Sequence, residues 1–78
     1  MLKKKLSLIV SFNKTTDAMA FEEYSLKNNI AGRLIPLPKE ISAGCGLSWK
    51  CEVSDKEKIM KALNDIGIIY DKISEIVI

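Results

Sequence analysis

The chain has 78 residues and not one histidine. That gap removes a Ser-His-Asp triad, a Cys-His dyad and any imidazole metal ligand within one chain. Thiols are scarce as well, with only Cys45 and Cys51. A long hydrophobic run is missing too: no stretch approaches the roughly 20 apolar residues that span a bilayer. Lys3, Lys4 and Lys5 precede "LSLIVSF" in the manner of a signal peptide, but that stretch is short and "NKTTD" interrupts it before Ala18, Met19 and Ala20. A cytoplasmic chain with reduced thiols and no membrane partner is the expectation.

Charge of one sign is nearly balanced, at a net +2. A domain that binds by neutralising phosphates needs clustered positive charge, so nucleic acid is not an expected partner. Aromatics make up 6% of the chain. Base stacking on a sheet would need them on both central strands. Only Phe12 and Trp49 could serve, and Trp49 shares a face with Leu47 and Val53, which points to packing. With 47% hydrophobic and 28% charged residues and no low-complexity segment, residues 1–78 read as one domain, too small for a deep enclosed pocket.

What is there is a regular alternation of strand and helix signals. "LSLIVSF", Leu6 to Phe12, is β-branched, aromatic and short, a buried strand. Thr15 or Thr16 offers an N-cap, Asp17 puts negative charge in the first turn, and "AMAFEEYSLKNN" continues as a helix closed by Asn28 and Asn29. A second strand is expected from Arg33 to Leu37. Its Pro36 cannot donate to a ladder, nor can Pro38 just beyond, which places it at a sheet edge. "LSWKCEV" alternates, with Leu47, Trp49, Cys51 and Val53 on one face and Ser48, Lys50 and Glu52 on the other. Ser54 and Glu57 have capping-box spacing. Ile59, Ala62, Leu63 and Ile66 then recur on one helical face, Gly67 ends that helix, and Ile73 to Val77 is the last strand. The order βαββαβ predicts an α+β, ferredoxin-like two-layer sandwich: a four-stranded antiparallel sheet with two helices on one face.

Chemistry has few places to reside in such a chain. Glu22 and Glu23 are adjacent, and neighbouring helical residues diverge by about 100°, so they cannot flank one substrate. Glu23 reads as solvated surface, while Glu22 lies nearer the face of Ala18 and Leu26 and is a candidate for an internal hydrogen bond. A copper-chaperone arrangement would place CxxC after the first strand, where "NKTTD" stands instead. The stretch "ISAGCGLSWKC" is more informative. Gly44 and Gly46 flank Cys45 and permit positive φ, so converging backbone N–H groups would favour the thiolate, and Lys39 or Lys50 would act in the same direction. The residues alone leave two readings open: a reactive thiol on a turn, or a small cysteine packed as a hydrophobe. Cys51 points to the core by its alternation. In extended chain the two thiols are about 20 Å apart, too far for a disulfide, and their spacing matches no zinc-ligand pattern. Neither metal nor cofactor is expected.

At "GRLIPLPKEISAGCGLSW" the chain resembles a family of short prokaryotic domains described as selenium/sulfur carrier-like. The residues that carry the resemblance are Pro36, Pro38, Ser42, Cys45 and Gly46, together with the "TTDAM" turn and Glu22. The resemblance implies the ferredoxin-like fold and a role in which Cys45 takes up sulfur or selenium as a persulfide or selenosulfide and hands it on. It also implies a bacterial or archaeal source and a cysteine desulfurase or another sulfur/selenium-relay protein as partner. Many members of that family carry His near the position of Asp17, and this chain does not, so no proton-transfer role follows there. The expected site is then Cys45 as covalent acceptor, supported by Pro36, Pro38, Lys39, Ser42, Gly44 and Gly46, in a carrier rather than an autonomous enzyme. The alternative is a regulatory or adaptor module that binds a protein or small anion at the 36–46 loop and dimerises through sheet edges.

Overall fold

The computed structural model describes residues 5–41 and 46–78. Its elements are β1 (Leu6–Ser11), α1 (Thr15–Lys27), β2 (Arg33–Pro36), β3 (Leu47–Glu52), a 3-10 turn (Val53–Asp55), α2 (Lys56–Ile66) and β4 (Lys72–Val77). The four strands form one antiparallel sheet in the order β2-β3-β1-β4. This is the expected ferredoxin-like sandwich, with the proline-ended β2 at an edge and β1 and β3 central. Pro36 stands opposite Leu47 on the edge strand β2, where an absent N–H is tolerated.

Both helices cover one face. Leu8, Val10, Phe12, Trp49 and Cys51 from the β1 and β3 segments pack with Ala18 and Phe21 of α1 and with Ile59, Ala62 and Leu63 of α2. Trp49 is the centre of this core. Its ring meets Phe21 edge-on with centroids 5.1 Å apart, and its Nε1–H donates to the Ala31 carbonyl at 3.2 Å. An indole needs such an acceptor when it is buried. A second buried set, Ser7, Ile9, Ser11 and Ser48, lies outside that cluster. Strand alternation puts these four residues on the sheet face away from the helices.

Two helix starts differ from expectation. The N-cap of α1 is Lys14, in extended conformation, and neither threonine hydroxyl caps the helix. The chain enters α1 one residue early, so Thr15 and Thr16 fall inside the first turn, and the Lys14 carbonyl receives the Asp17 and Ala18 amides at 3.1 and 3.2 Å. The capping box of Ser54 and Glu57 does not form either. The 3-10 turn occupies Val53–Asp55, Asp55 takes the N-cap position, and Glu57 becomes the second helical residue, where the reciprocal bond has the wrong spacing. The C-terminal signals are as expected. Asn28 binds the Tyr24 carbonyl through its backbone N–H and, at 2.8 Å, through Nδ2, and Gly67 adopts φ 66°.

The inward face of α1 also differs. It is formed by Ala18, Phe21 and Ser25, whereas Leu26 is 75% exposed and Glu22 makes no hydrogen bond among the described residues. The Ser25 hydroxyl is buried without a partner among the described residues. A buried, unsatisfied donor is unfavourable, and alanine is also the better helix former. Ser25→Ala is therefore expected to stabilise the fold by about 1 kcal/mol, read as a raised urea midpoint at unchanged m-value; a lowered midpoint would show that the hydroxyl is needed.

Candidate functional site

The candidate site is the connection between β2 and β3. Beyond Pro36 the ladder continues by one bond, from the Leu37 N–H to the Gly46 carbonyl at 2.9 Å. This bond closes the neck of the connection, so its two ends leave the sheet side by side. Pro38 begins a tight turn in which its carbonyl accepts from the Ile41 N–H at 3.0 Å. Proline's fixed φ suits the start of such a turn. Ile41 is 8% exposed and lies outside the main core cluster, so its burial ties down the outgoing limb.

Of the residues expected here, Pro36, Pro38, Lys39 and Gly46 are brought to this neck and turn. Pro36 and Lys39 are exposed, and Pro38 is half-buried. Gly46 adopts φ 77°, the left-handed backbone that glycine makes accessible. Ser42, Gly44 and Cys45 lie outside the described residues. Lys50, the other cation expected to assist Cys45, sits four residues along β3 from Gly46, about 13 Å away at the usual rise per residue.

Topology adds a second element to this end of the molecule. Ser11, the last residue of β1, pairs with Ser48 near the start of β3. The β1–α1 connection and the first turn of α1, with Asp17, therefore emerge at the same end of the sheet as the β2–β3 connection. The Asp71 N–H binds the Ser11 carbonyl at 2.7 Å, which brings the start of β4 there as well.

Cys51 is placed as its alternation predicted, 6% exposed within the core cluster. Burial pushes its thiol up to about 11, with the carboxylates of Asp55 and Glu52 adding to the effect. Loss of solvation disfavours the thiolate, and neighbouring negative charge disfavours it further. Among the described residues no group of three or more Cys, Asp and Glu side chains is arranged to hold a metal ion, and no helix is long and apolar enough to cross a membrane.

One feature of the described surface was not read from the sequence: Arg33 and Lys50 stand directly opposite each other across β2 and β3. Each is recognisable as a polar strand position. Their juxtaposition depends on the hairpin register, which a ten-residue connection leaves open.

A family model described as "Putative Se/S carrier protein-like" matches residues 7–75. The chain belongs to this family. The matched span runs from β1 into β4 and includes the whole β2–β3 connection. No curated protein and no solved structure matches the chain.

Proposed function

We propose that the chain carries sulfur or selenium on Cys45, and that it does so as a carrier without turnover chemistry of its own. One observation supports this choice of atom above the others. Of the two thiols, Cys51 is packed in the core and held protonated to about pH 11, so it makes a poor nucleophile near neutrality. Cys45 is the remaining thiol, set in the connection that the family match spans and followed by a glycine in left-handed conformation.

The transfer requires no net redox change. The Cys45 thiolate attacks the outer sulfur of a donor persulfide, R–S–S–H. A new S–S bond forms on Cys45, the donor S–S bond breaks, and the donor leaves as its thiolate; the transferred sulfur keeps its proton or loses it to solvent. Selenium moves in the same way from R–S–Se–H. Lys39 and Ser42 are assigned to stabilising the resulting anion, since cations and hydroxyl donors favour a charged chalcogen. Pro36, Pro38, Gly44 and Gly46 are assigned as supporting residues of Cys45. The donor is a protein of the persulfide-relay class, such as a cysteine desulfurase.

The test is intact-protein mass spectrometry after incubation with a cysteine desulfurase and cysteine. The parent chain is expected to gain the mass of one sulfur atom, released by a thiol reductant, while Cys45→Ser gains none. Sulfur found only on Cys51, or on neither thiol, would remove the assignment.

A further inference from the structure

The far end of β3 from the Gly46 neck offers a second candidate site. A groove of about 290 Å³ opens where β2 begins, lined by Lys5, Ser7, Arg33, Lys50, Glu52 and Asp55. Ala31, Gly32 and Cys51 complete it. Arg33 and Lys50 are partners in the β2–β3 register and lie on the sheet face away from the helices. Like charges directly opposed across two strands repel and weaken a sheet. Neither takes part in an ion pair among the described residues, where the pairs are Lys5 with Glu52 and Lys27 with Glu23.

Neither acid of the groove forms an ion pair with Arg33 or Lys50 among the described residues. Glu52 is occupied by the Lys5 ammonium at 2.5 Å, and the hydrogen bond and charge of Lys5 hold its carboxyl below the ordinary carboxylate range. Asp55 sits on the 3-10 turn and pairs with neither cation. Lys50 is half-buried, so its charge is less screened than that of a free surface lysine. A planar guanidinium fork and an ammonium side by side, with no carboxylate of their own, match an anion that offers several oxygens and two charges.

We propose that this groove binds a small tetrahedral dianion of the phosphate class, held between the Arg33 guanidinium and the Lys50 ammonium. The phosphoryl group of a larger metabolite would present the same chemistry, and inorganic phosphate is the probe for it. The proposal does not depend on the chalcogen-carrier reading.

The experiment is an amide-resolved NMR titration of the full chain with inorganic phosphate at constant ionic strength. Sodium acetate and sodium chloride serve as matched arms, and phenyl phosphate as the arm for a phosphoryl group on a larger molecule. Saturable shifts at Gly32, Arg33, Lys50 and Glu52 are expected, with acetate about tenfold weaker than phosphate because it carries one charge. Arg33→Gln and Lys50→Gln change residues on the sheet face away from the helical core and are expected to keep the dispersed spectrum while weakening phosphate binding about tenfold each, the equivalent of one lost charge-assisted contact. Cys45→Ser is expected to bind as the parent does. Shifts that fail to saturate, that acetate or chloride reproduces, or that survive both substitutions would overturn the proposal. Loss of binding in Cys45→Ser would do so too, by moving the anion to the thiol connection. Tighter binding of phenyl phosphate than of inorganic phosphate would assign the site to phosphoryl metabolites, and equal binding to the free anion.

Discussion

Replacing Gly32 with alanine is expected to cost the fold about 3 kcal/mol or more, the largest loss foreseen for any single methyl group in the chain. Gly32 immediately precedes β2 and adopts φ 120°, a region closed to residues with a Cβ. A Cβ there would collide with the Trp49 indole nitrogen and lie 2.5 Å from the Lys50 carbonyl oxygen. Backbone strain of this kind costs about 1–3 kcal/mol. Relief would require the indole to move, which breaks its bond to the Ala31 carbonyl and disturbs the edge-on contact with Phe21. A chain of this size has little stability in reserve, because small domains bury a smaller fraction of their surface.

Gly67→Ala is the matched control. Gly67 also has positive φ, at 66°, but a Cβ there meets nothing within 4 Å. Its loss is expected to be about 1 kcal/mol, the left-handed penalty alone. Urea unfolding followed by tryptophan fluorescence measures both variants. Equal costs for the two substitutions would show that the Trp49 contact contributes nothing.

These two glycines also mark what could be read in advance. Gly67 was legible, because an apolar helical stripe from Ile59 to Ile66 followed by glycine is a local signal, and helix ends depend on a few adjacent residues. The edge position of β2 was legible for a similar reason: Pro36 removes a donor whatever the rest of the fold does. Gly32 was silent, since nothing local announces that an indole 17 positions later will lie across it. The two helix starts were misread because capping depends on where the chain enters the helix. A strand that stops at Glu52 and turns through Val53–Asp55 shifts that entry by one residue, enough to undo the spacing of Ser54 and Glu57.

The candidate site divides along the same line. Alternation along β3 separated Cys51 from the surface, because a period-two pattern needs only one strand to be seen. Lys50 was expected to serve Cys45 since the two are near in sequence, yet an extended strand carries Lys50 away from the Gly46 neck and sets it beside Arg33. Nearness along a strand and nearness in space part company after two or three residues. The cation pair at the opposite end of β3 was invisible for that reason. It arises from a register that only the folded hairpin defines.

In the native chain Cys51 is expected to alkylate about 100-fold more slowly than in the unfolded chain, by ionisation alone. Its thiol rises from 9.0 to about 11 on folding, so at pH 8 the thiolate fraction falls from about one in ten to about one in a thousand; packing slows attack further. Cys45→Ser isolates Cys51 for the measurement, with iodoacetamide added in the presence and absence of denaturant. The same shift ties stability to pH. The folded state holds the proton more tightly than the unfolded state does, so the contribution is fully present below pH 9 and is lost as pH rises towards 11, by an amount on the order of 3 kcal/mol. Lysines and tyrosines titrate in that window as well, and the comparison with Cys51→Ala isolates the thiol: the parent is expected to lose stability more steeply than the variant between pH 9 and 11. Parallel pH profiles, or native alkylation of Cys51 within tenfold of the unfolded rate, would mean that folding does not suppress this thiol. It would then compete with Cys45 for any chalcogen the chain accepts.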